Sequence, residues 1–297
     1  MPLEDVLAAV PELRGGEVER LTGGLTNTNY KVTTASGAYV VRIAGKETGL
    51  LAIDRANEIY NTIAAAETGV GAPVVAALPE HEALVLEFLE GEVMDAEKLR
   101  SGDRLAAIAS ACRRLHGGRR FLHGFDMFQI QRRYLQLVQE RGFRLPDRYL
   151  ELEPKVRRLE AMMRVRSETT APCNNDLLAE NVIDVNGSIR LIDYEYSGNN
   201  EPSFELGNLW SESNLSLEQL EELVRHYYGQ ATRGKIARAR LWGLVAKYGW
   251  TLWGSIQASV SEMDFDFWAW AMEKYDRALA ELDGPDFERL LDEVRTG

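Results

Sequence analysis

The run Cys173-Asn174-Asn175-Asp176-Leu177-Leu178-Ala179-Glu180-Asn181, followed by Leu191-Ile192-Asp193-Tyr194-Glu195, is the most informative part of this chain. It holds an Asp and an Asn in D-x-x-x-x-N spacing and a second Asp shortly after. Those residue types suit phosphoryl transfer to an alcohol. One carboxylate accepts the hydroxyl proton, while an amide oxygen and a second carboxylate hold Mg²⁺ on the phosphates. Between Asn181 and Asp193 lie Val182-Ile183-Asp184-Val185, Asn186-Gly187 and Ser188-Ile189-Arg190-Leu191-Ile192. Asn-Gly between alternating apolar residues is a strong hairpin signal. Closing the hairpin pairs Val185 with Ser188 and sets Asn181 opposite Ile192, so the two candidate metal ligands meet at its open end. Strict alternation would put them on opposite faces, so at least one must sit where the strand is already turning. D-x-x-x-x-N alone is a weak signal, because turn residues followed by a loop acid give the same letters. The hairpin and the acid beyond it strengthen the reading.

Outward from that segment, residues 1–89 read as β-rich. Asn29 to Thr34 and Ala38 to Ile43 are β-prone runs joined by Ser36-Gly37. A helix is predicted from Asp54 to Glu67, with Gly69 as its stop. Ala83 to Leu89 reads as a short strand, and Glu90-Gly91-Glu92 breaks it at a natural hinge. Beyond the hinge, apolar spacing predicts helices over Asp103 to Leu115 and Met127 to Glu140, and a charged helix over 155–166. Asn181 to Tyr196 is a β-type interruption, and Ser216 to Arg295 returns to helix with two Trp-bearing stretches. The fold class is α+β: a small β-rich lobe over 1–89, a larger and mainly helical lobe over 90–297, and a ligand cleft between them.

The composition narrows the partners. Forty-six acidic against 34 basic residues give a net charge of -12 over 297 residues. That balance repels phosphate backbones, argues against nucleic acid and suits a cationic substrate or Mg²⁺. Cys112 and Cys173 cannot make a disulfide framework, so a reducing compartment is expected. Met1-Pro2-Leu3-Glu4-Asp5 lacks the basic flank and apolar run of a signal peptide, and no stretch approaches the roughly 18 apolar residues that span a bilayer. A cytoplasmic protein with no membrane insertion is expected, its oligomeric state left open. His81, His116, His123 and His226 show no metal-ligand spacing. His116 reads as a local hydrogen-bonding residue and Cys173 as a small buried filler.

From Gly23 to about Ala278 the chain resembles the choline/ethanolamine kinase family, within the aminoglycoside-phosphotransferase-like group of protein-kinase-fold enzymes. The resemblance implies a protein-kinase-like bilobal fold, with 1–89 binding nucleotide and 90–297 carrying catalysis and the acceptor, and it implies ATP and Mg²⁺. Asp176 would be the catalytic base, in contact with the substrate, and Asn181 and Asp193 the metal ligands, with Glu195 beside them. Gly23-Gly24-Leu25-Thr26-Asn27-Thr28-Asn29-Tyr30 is similar to the family's phosphate-covering loop, which assigns Thr26, Asn27, Thr28 and Asn29 to the nucleotide. Arg42, in Tyr39-Val40-Val41-Arg42-Ile43, stands where most kinases place a phosphate-binding Lys, and Glu58 would be its helical partner. Val85-Leu86-Glu87-Phe88-Leu89 resembles the adenine linker, through Glu87 and Leu89. Asp193 to Ser197, and Phe204-Glu205-Leu206-Gly207-Asn208 through Glu212, match the segment peculiar to choline and ethanolamine kinases. Two positions depart from the family: Asn174 where His is frequent, and Glu205 where Asp is common.

The resemblance also implies an aromatic box of Trp250, Trp253, Phe265 and Trp270, closed by Glu212. A quaternary ammonium has no N–H to donate, so it is held by cation–π contact and a nearby carboxylate. Trp242, Phe267 and Trp268 read as core. Ethanolamine wants hydrogen-bond acceptors more than a cage, so three indoles lean toward choline. Ethanolamine, another amino alcohol or an amino sugar remain alternatives. A non-catalytic nucleotide-binding pseudokinase is the alternative of another class, and the presence of Asp176, Asn181 and Asp193 counts against it.

Overall fold

The computed structural model describes residues 2–22, 24–45, 49–101 and 103–297. Gly23, the first residue of the loop assigned to phosphate, lies outside them. Helix α1 (Pro2–Ala9) buries Val6 against a five-stranded antiparallel sheet. The sheet runs β1 (Glu17–Arg20), β2 (Asn27–Thr34), β3 (Gly37–Ala44), with β4 (Val74–Leu78) and β5 (Ala83–Glu87) added in the order β1-β2-β3-β5-β4. Tyr39 and Val41 of β3 share one face with Val32 and Val85 and form a small core. Arg42, between Val41 and Ile43, therefore points to the opposite face. Helix α2 (Arg55–Glu67) follows β3, and its N-cap Asp54 accepts the Asn57 N–H at 3.1 Å.

The short strand β6 (Glu92–Val93) leaves this sheet and pairs with β8 (Val182–Val185), which pairs with β9 (Ser188–Leu191). The helical portion comprises α3 (Ala96–Leu99), α4 (Arg104–His116), α5 (Met127–Arg141) and α6 (Glu153–Met163), then, after β7 (Ala171–Cys173) and β10 (Gly198–Asn200), α7 (Pro202–Glu212), α8 (Leu217–Tyr228), α9 (Arg233–Val260), α10 (Phe267–Leu282) and α11 (Phe287–Thr296). Helix α9 is its axis, packed by α7, α5, α10 and α11. Stacked Tyr149 and Tyr248, with ring centroids 4.2 Å apart, give their hydroxyls to each other's carbonyls at 2.9 and 3.0 Å. No helix among the described residues is long and apolar enough to cross a membrane.

The structure differs from the sequence reading at particular elements. Strand β1 was not expected: Glu17, Glu19 and Arg20 carry no buried alternation because β1 is an exposed sheet edge, where charge blunts further pairing. The strand expected over Ala83 to Leu89 stops at Glu87, and the charged helix over 155–166 runs instead over Glu153–Met163. Helix α1 and strands β4, β7 and β10 carry no distinct local pattern in the sequence. Trp242 and Phe267 are core, as expected, while Trp268 lies half-buried under Arg144, whose guanidinium sits 3.9 Å from its ring centroid.

Helices α7 and α9 meet at Gly207. A Cβ there would overlap the Ala239 carbonyl oxygen and sit 2.8 Å from the Gly243 nitrogen. Gly207→Ala should therefore destabilise the protein by about 3 kcal/mol in urea unfolding. A loss under a few tenths would mean the helices separate freely.

Candidate active site

Asp176 stands on a loop whose backbone is held by buried polar groups. Glu205 of α7 is fully buried and accepts the Asn174 N–H at 3.0 Å and the Asn175 N–H at 2.7 Å, one on each carboxylate oxygen. The Asn174 side chain donates to the carbonyls of Ile192 (3.1 Å) and Asp193 (2.8 Å) and accepts the Asp176 N–H at 3.1 Å. It thus ties the Asp176 loop to the Asp193 loop. Asn175 takes the left-handed region, with φ 67°, and its amide group spreads over the carbonyls of Cys173, Tyr196 and Gly198. Asn174 and Glu205, the two positions read from the sequence as departures from the resemblance, thus set this loop together with Asn175. His116 bonds across the fold rather than locally, to the Tyr227 hydroxyl at 2.7 Å and to Glu205 Oε1 at 3.4 Å, and the Cys173 thiol is fully buried, with burial first and Glu205 next raising its pKa.

The hairpin has the register read from Asn186-Gly187. Val185 faces Ser188, Val182 faces Leu191, and the Ile192 N–H reaches the Asn181 carbonyl at 3.0 Å. Asp193 is the residue where the strand has turned, with φ 63°. A non-glycine residue there costs about 1–3 kcal/mol and is kept by its surroundings. Asn181 gives its amide NH₂ to the Asp176 carbonyl at 2.9 Å, which leaves its amide oxygen for the cavity that it lines.

Above this floor, Arg42 joins the acids. Its guanidinium reaches Glu58 at 2.8 Å, Asp193 at 2.5 Å and Glu195 at 3.3 Å. Arg55 also pairs with Glu58. Glu58, Asp193 and Glu195 bring carboxylate oxygens within 4.8 Å of one another. Glu58 is taken up by Arg42 and Arg55, while Asp193 and Glu195 line the cleft together with Asn181, and carboxylate and amide oxygens are donors of the kind a hard divalent cation takes. Burial opposes the charge on Arg42, but Asp193, Glu58 and Glu195 outweigh it and raise its pKa. Burial and then Asp193 push the Glu195 carboxyl up to about 7, with Arg42 pulling it back. Burial, then Asp193, Glu195 and Glu212, hold Asp176 well above the usual aspartate range.

A cleft of about 680 Å³ gathers most of the sequence-read residues: Thr26, Asn29, Arg42, Glu87, Leu89, Asp176, Asn181, Asp193, Glu195, Glu212, Trp250, Trp253 and Trp270. Asn27, Thr28, Glu58 and Phe265 are not among its lining. Asn27 and Thr26 turn their side chains to Glu195, at 2.8 Å and 2.7 Å, so these two loop residues grip the acid of the opposite lobe. Thr28 is a β2 residue opposite Ile43, and Glu58 acts through Arg42. Glu87 and Phe88 give their N–H groups to the carbonyls of Pro73 and Ala38.

Phe265 is 44% exposed, does not line the cleft and leans edge-on against Phe267, 4.8 Å between centroids, just before the α10 N-cap Asp266. Tyr196 does line it. It lies edge-on to Trp250 at 4.9 Å, accepts the Trp253 indole N–H at 2.9 Å and gives its own hydroxyl to the Leu51 carbonyl at 3.2 Å. Tyr196 was visible in Asp193-Tyr194-Glu195-Tyr196-Ser197, but no spacing marked it as a wall residue.

The family model for choline/ethanolamine kinase matches residues 18–228. Human ethanolamine kinase 2 is 27% identical over 295 residues, covering 87% of this chain and 74% of its own length. The structure of a choline/ethanolamine kinase family protein from Mesorhizobium loti superposes with a TM-score of 0.88 at 32% identity, covering 100% of both chains. That of the choline kinase LicA from Streptococcus pneumoniae gives 0.81 at 26% identity, covering 94% of this chain and 98% of the other. One relative is named for ethanolamine and another for choline, so these identities leave the acceptor open.

Removing Glu205 would orphan two buried N–H donors at once. Glu205→Ala should cost about 2–5 kcal/mol of unfolding free energy, measured in urea. A cost under 1 kcal/mol would show that the loop is held elsewhere.

Proposed function

The chain belongs to the choline/ethanolamine kinase family and is an ATP-dependent phosphotransferase acting on an alcohol, and we propose that this alcohol is choline, with ethanolamine as the runner-up. One observation carries the proposal. Asp176 lines the same cleft as Trp250, Trp253, Trp270 and Glu212. The indole N–H groups of Trp250 and Trp253 are committed to Asn208 (3.3 Å) and Tyr196 (2.9 Å), so these rings offer the cleft faces rather than donors. A desolvated onium gains about 2 kcal/mol from such a face.

In the proposed reaction Asp176 orients the acceptor hydroxyl and takes its proton as the oxygen attacks the γ-phosphorus of ATP. The bond to phosphorus forms in line with the one that breaks, and ADP leaves. Arg42, set by Glu58, steadies the phosphates. The residues that would hold Mg²⁺ are Asn181 and Asp193, with Glu195 beside them, and the ion supplies charge neutralisation on the phosphates. Residues 1–89 would carry the nucleotide and 90–297 the acceptor, in a cytoplasmic enzyme with no nucleic-acid partner.

Incubated with ATP, Mg²⁺ and choline, ethanolamine or an amino sugar in parallel, the protein should show its highest kcat/KM on choline. Strong preference for a non-amine alcohol would remove the indole wall from acceptor binding. Asp176→Asn should abolish transfer while ATP still binds. Because the charged form of Asp176 is disfavoured where it sits, the same variant should also unfold at a higher temperature at pH 7. Unchanged turnover would take the base role from Asp176.

A further inference from the structure

Behind the acceptor wall lies a cation that the reaction does not use. Trp270 and Lys274 are one turn apart on α10 and share a face. The Lys274 ammonium sits 4.2 Å from the Trp270 ring centroid and pairs with Glu212 Oε2, on the last residue of α7. Lys274 is 4% exposed and is not among the cleft-lining residues, whereas Glu212 and Trp270 are. The other Glu212 oxygen, Oε1, is buried without a protein partner. The acid is therefore already engaged: one oxygen is bound by a resident cation, and the other is buried with no donor.

We propose that Lys274 is a specificity-determining residue, a resident cation that neutralises Glu212 from behind and so biases the acceptor pocket toward quaternary over primary ammonium. The inference rests on the reading of this cleft as an ammonium-alcohol site. A primary ammonium is strongly hydrated, and only a strong local negative charge offsets the cost of stripping its water. Glu212, already paired, supplies little of that charge. A quaternary ammonium is weakly hydrated and draws its binding from indole faces, which pairing at Glu212 leaves in place. Lys274 also shares the Trp270 ring electrostatically, so what remains for the ligand is weighted toward Trp250 and Trp253. The ordinary alternative is that Lys274 only offsets an acid at the unfavourable C-terminal end of α7, where Arg277 also binds the Ser211 carbonyl at 2.7 Å. Such a role would leave the choice between acceptors untouched.

The test is the ratio of kcat/KM for choline to that for ethanolamine, at saturating ATP and Mg²⁺, in wild type, Lys274→Met, Lys274→Gln and Lys274→Arg. The neutral variants should lower the ratio by about tenfold, through a fall in KM for ethanolamine with kcat little changed. Lys274→Arg, which keeps the charge, should stay near the wild-type ratio. Where Lys274→Met fails to unfold cooperatively because Glu212 is left unpaired, Lys274→Gln, which still donates to it, decides the matter. A folded neutral variant whose ratio stays within about twofold of wild type, or whose change lies in kcat, would overturn the proposal. Wild-type protein that phosphorylates neither alcohol would instead overturn the function on which this inference stands.

Discussion

One guanidinium links the two halves of the cleft. Arg42 extends from β3 of the sheet and meets Glu58 of α2 on its own side and Asp193 and Glu195 on the other. Desolvating a cation and three acids is expensive, and such networks seldom add much net stability. Their value is positional: Arg42 is held by three acids at once, and Asp193 and Glu195 are thereby tied to the strand that carries it. Thr26 and Asn27 repeat the connection by donating to the same Glu195. The strand that carries Arg42 is therefore registered against the loop that carries Asp193.

The floor of the cleft is held in the same way, by polar groups rather than apolar packing. Glu205, Asn174 and Asn175 each satisfy several backbone groups of the segment between Cys173 and Gly198. Three non-glycine residues of that segment, Asn175, Asn186 and Asp193, have left-handed backbones that most side chains avoid. Asn186 serves the hairpin turn, while Asn175 and Asp193 lie where the chain turns at the cleft floor. The surrounding hydrogen bonds, all short-range and directional, oppose their relaxation.

The helical portion uses its tryptophans in two ways. Trp242 packs against Phe128 and Phe204 inside the core, and its indole N–H goes to buried Glu201 at 3.0 Å. Trp250 and Trp253, further along the same helix α9, also line the cleft, and Trp270 of α10 joins them 5.2 Å from Trp253. They remain members of the same buried cluster as Trp242, so one helix packs the core along its length and borders the cleft at its later turns.

Local information settled a good deal. Asn186-Gly187 set the hairpin register, because a two-residue turn admits few pairings and the side-chain period is two. The resemblance singled out Arg42, although its run Tyr39-Val40-Val41-Arg42-Ile43 has no alternation to show its face, and D-x-x-x-x-N with its trailing acid named the residues at the cleft floor. Where letters were silent, distance along the chain was the reason. Phe265 resembled its aromatic neighbours in sequence, yet it precedes the α10 cap, and the direction of a loop side chain has no periodicity to read. Lys274 and Glu212 are separated by 62 positions, and only the packing of α7 and α10 onto α9 brings them together. Periodicity and turn chemistry act over a few residues and are written in the sequence. Pairings between charges on different helices exist only after the core has closed, because nothing in the open chain holds those charges near each other.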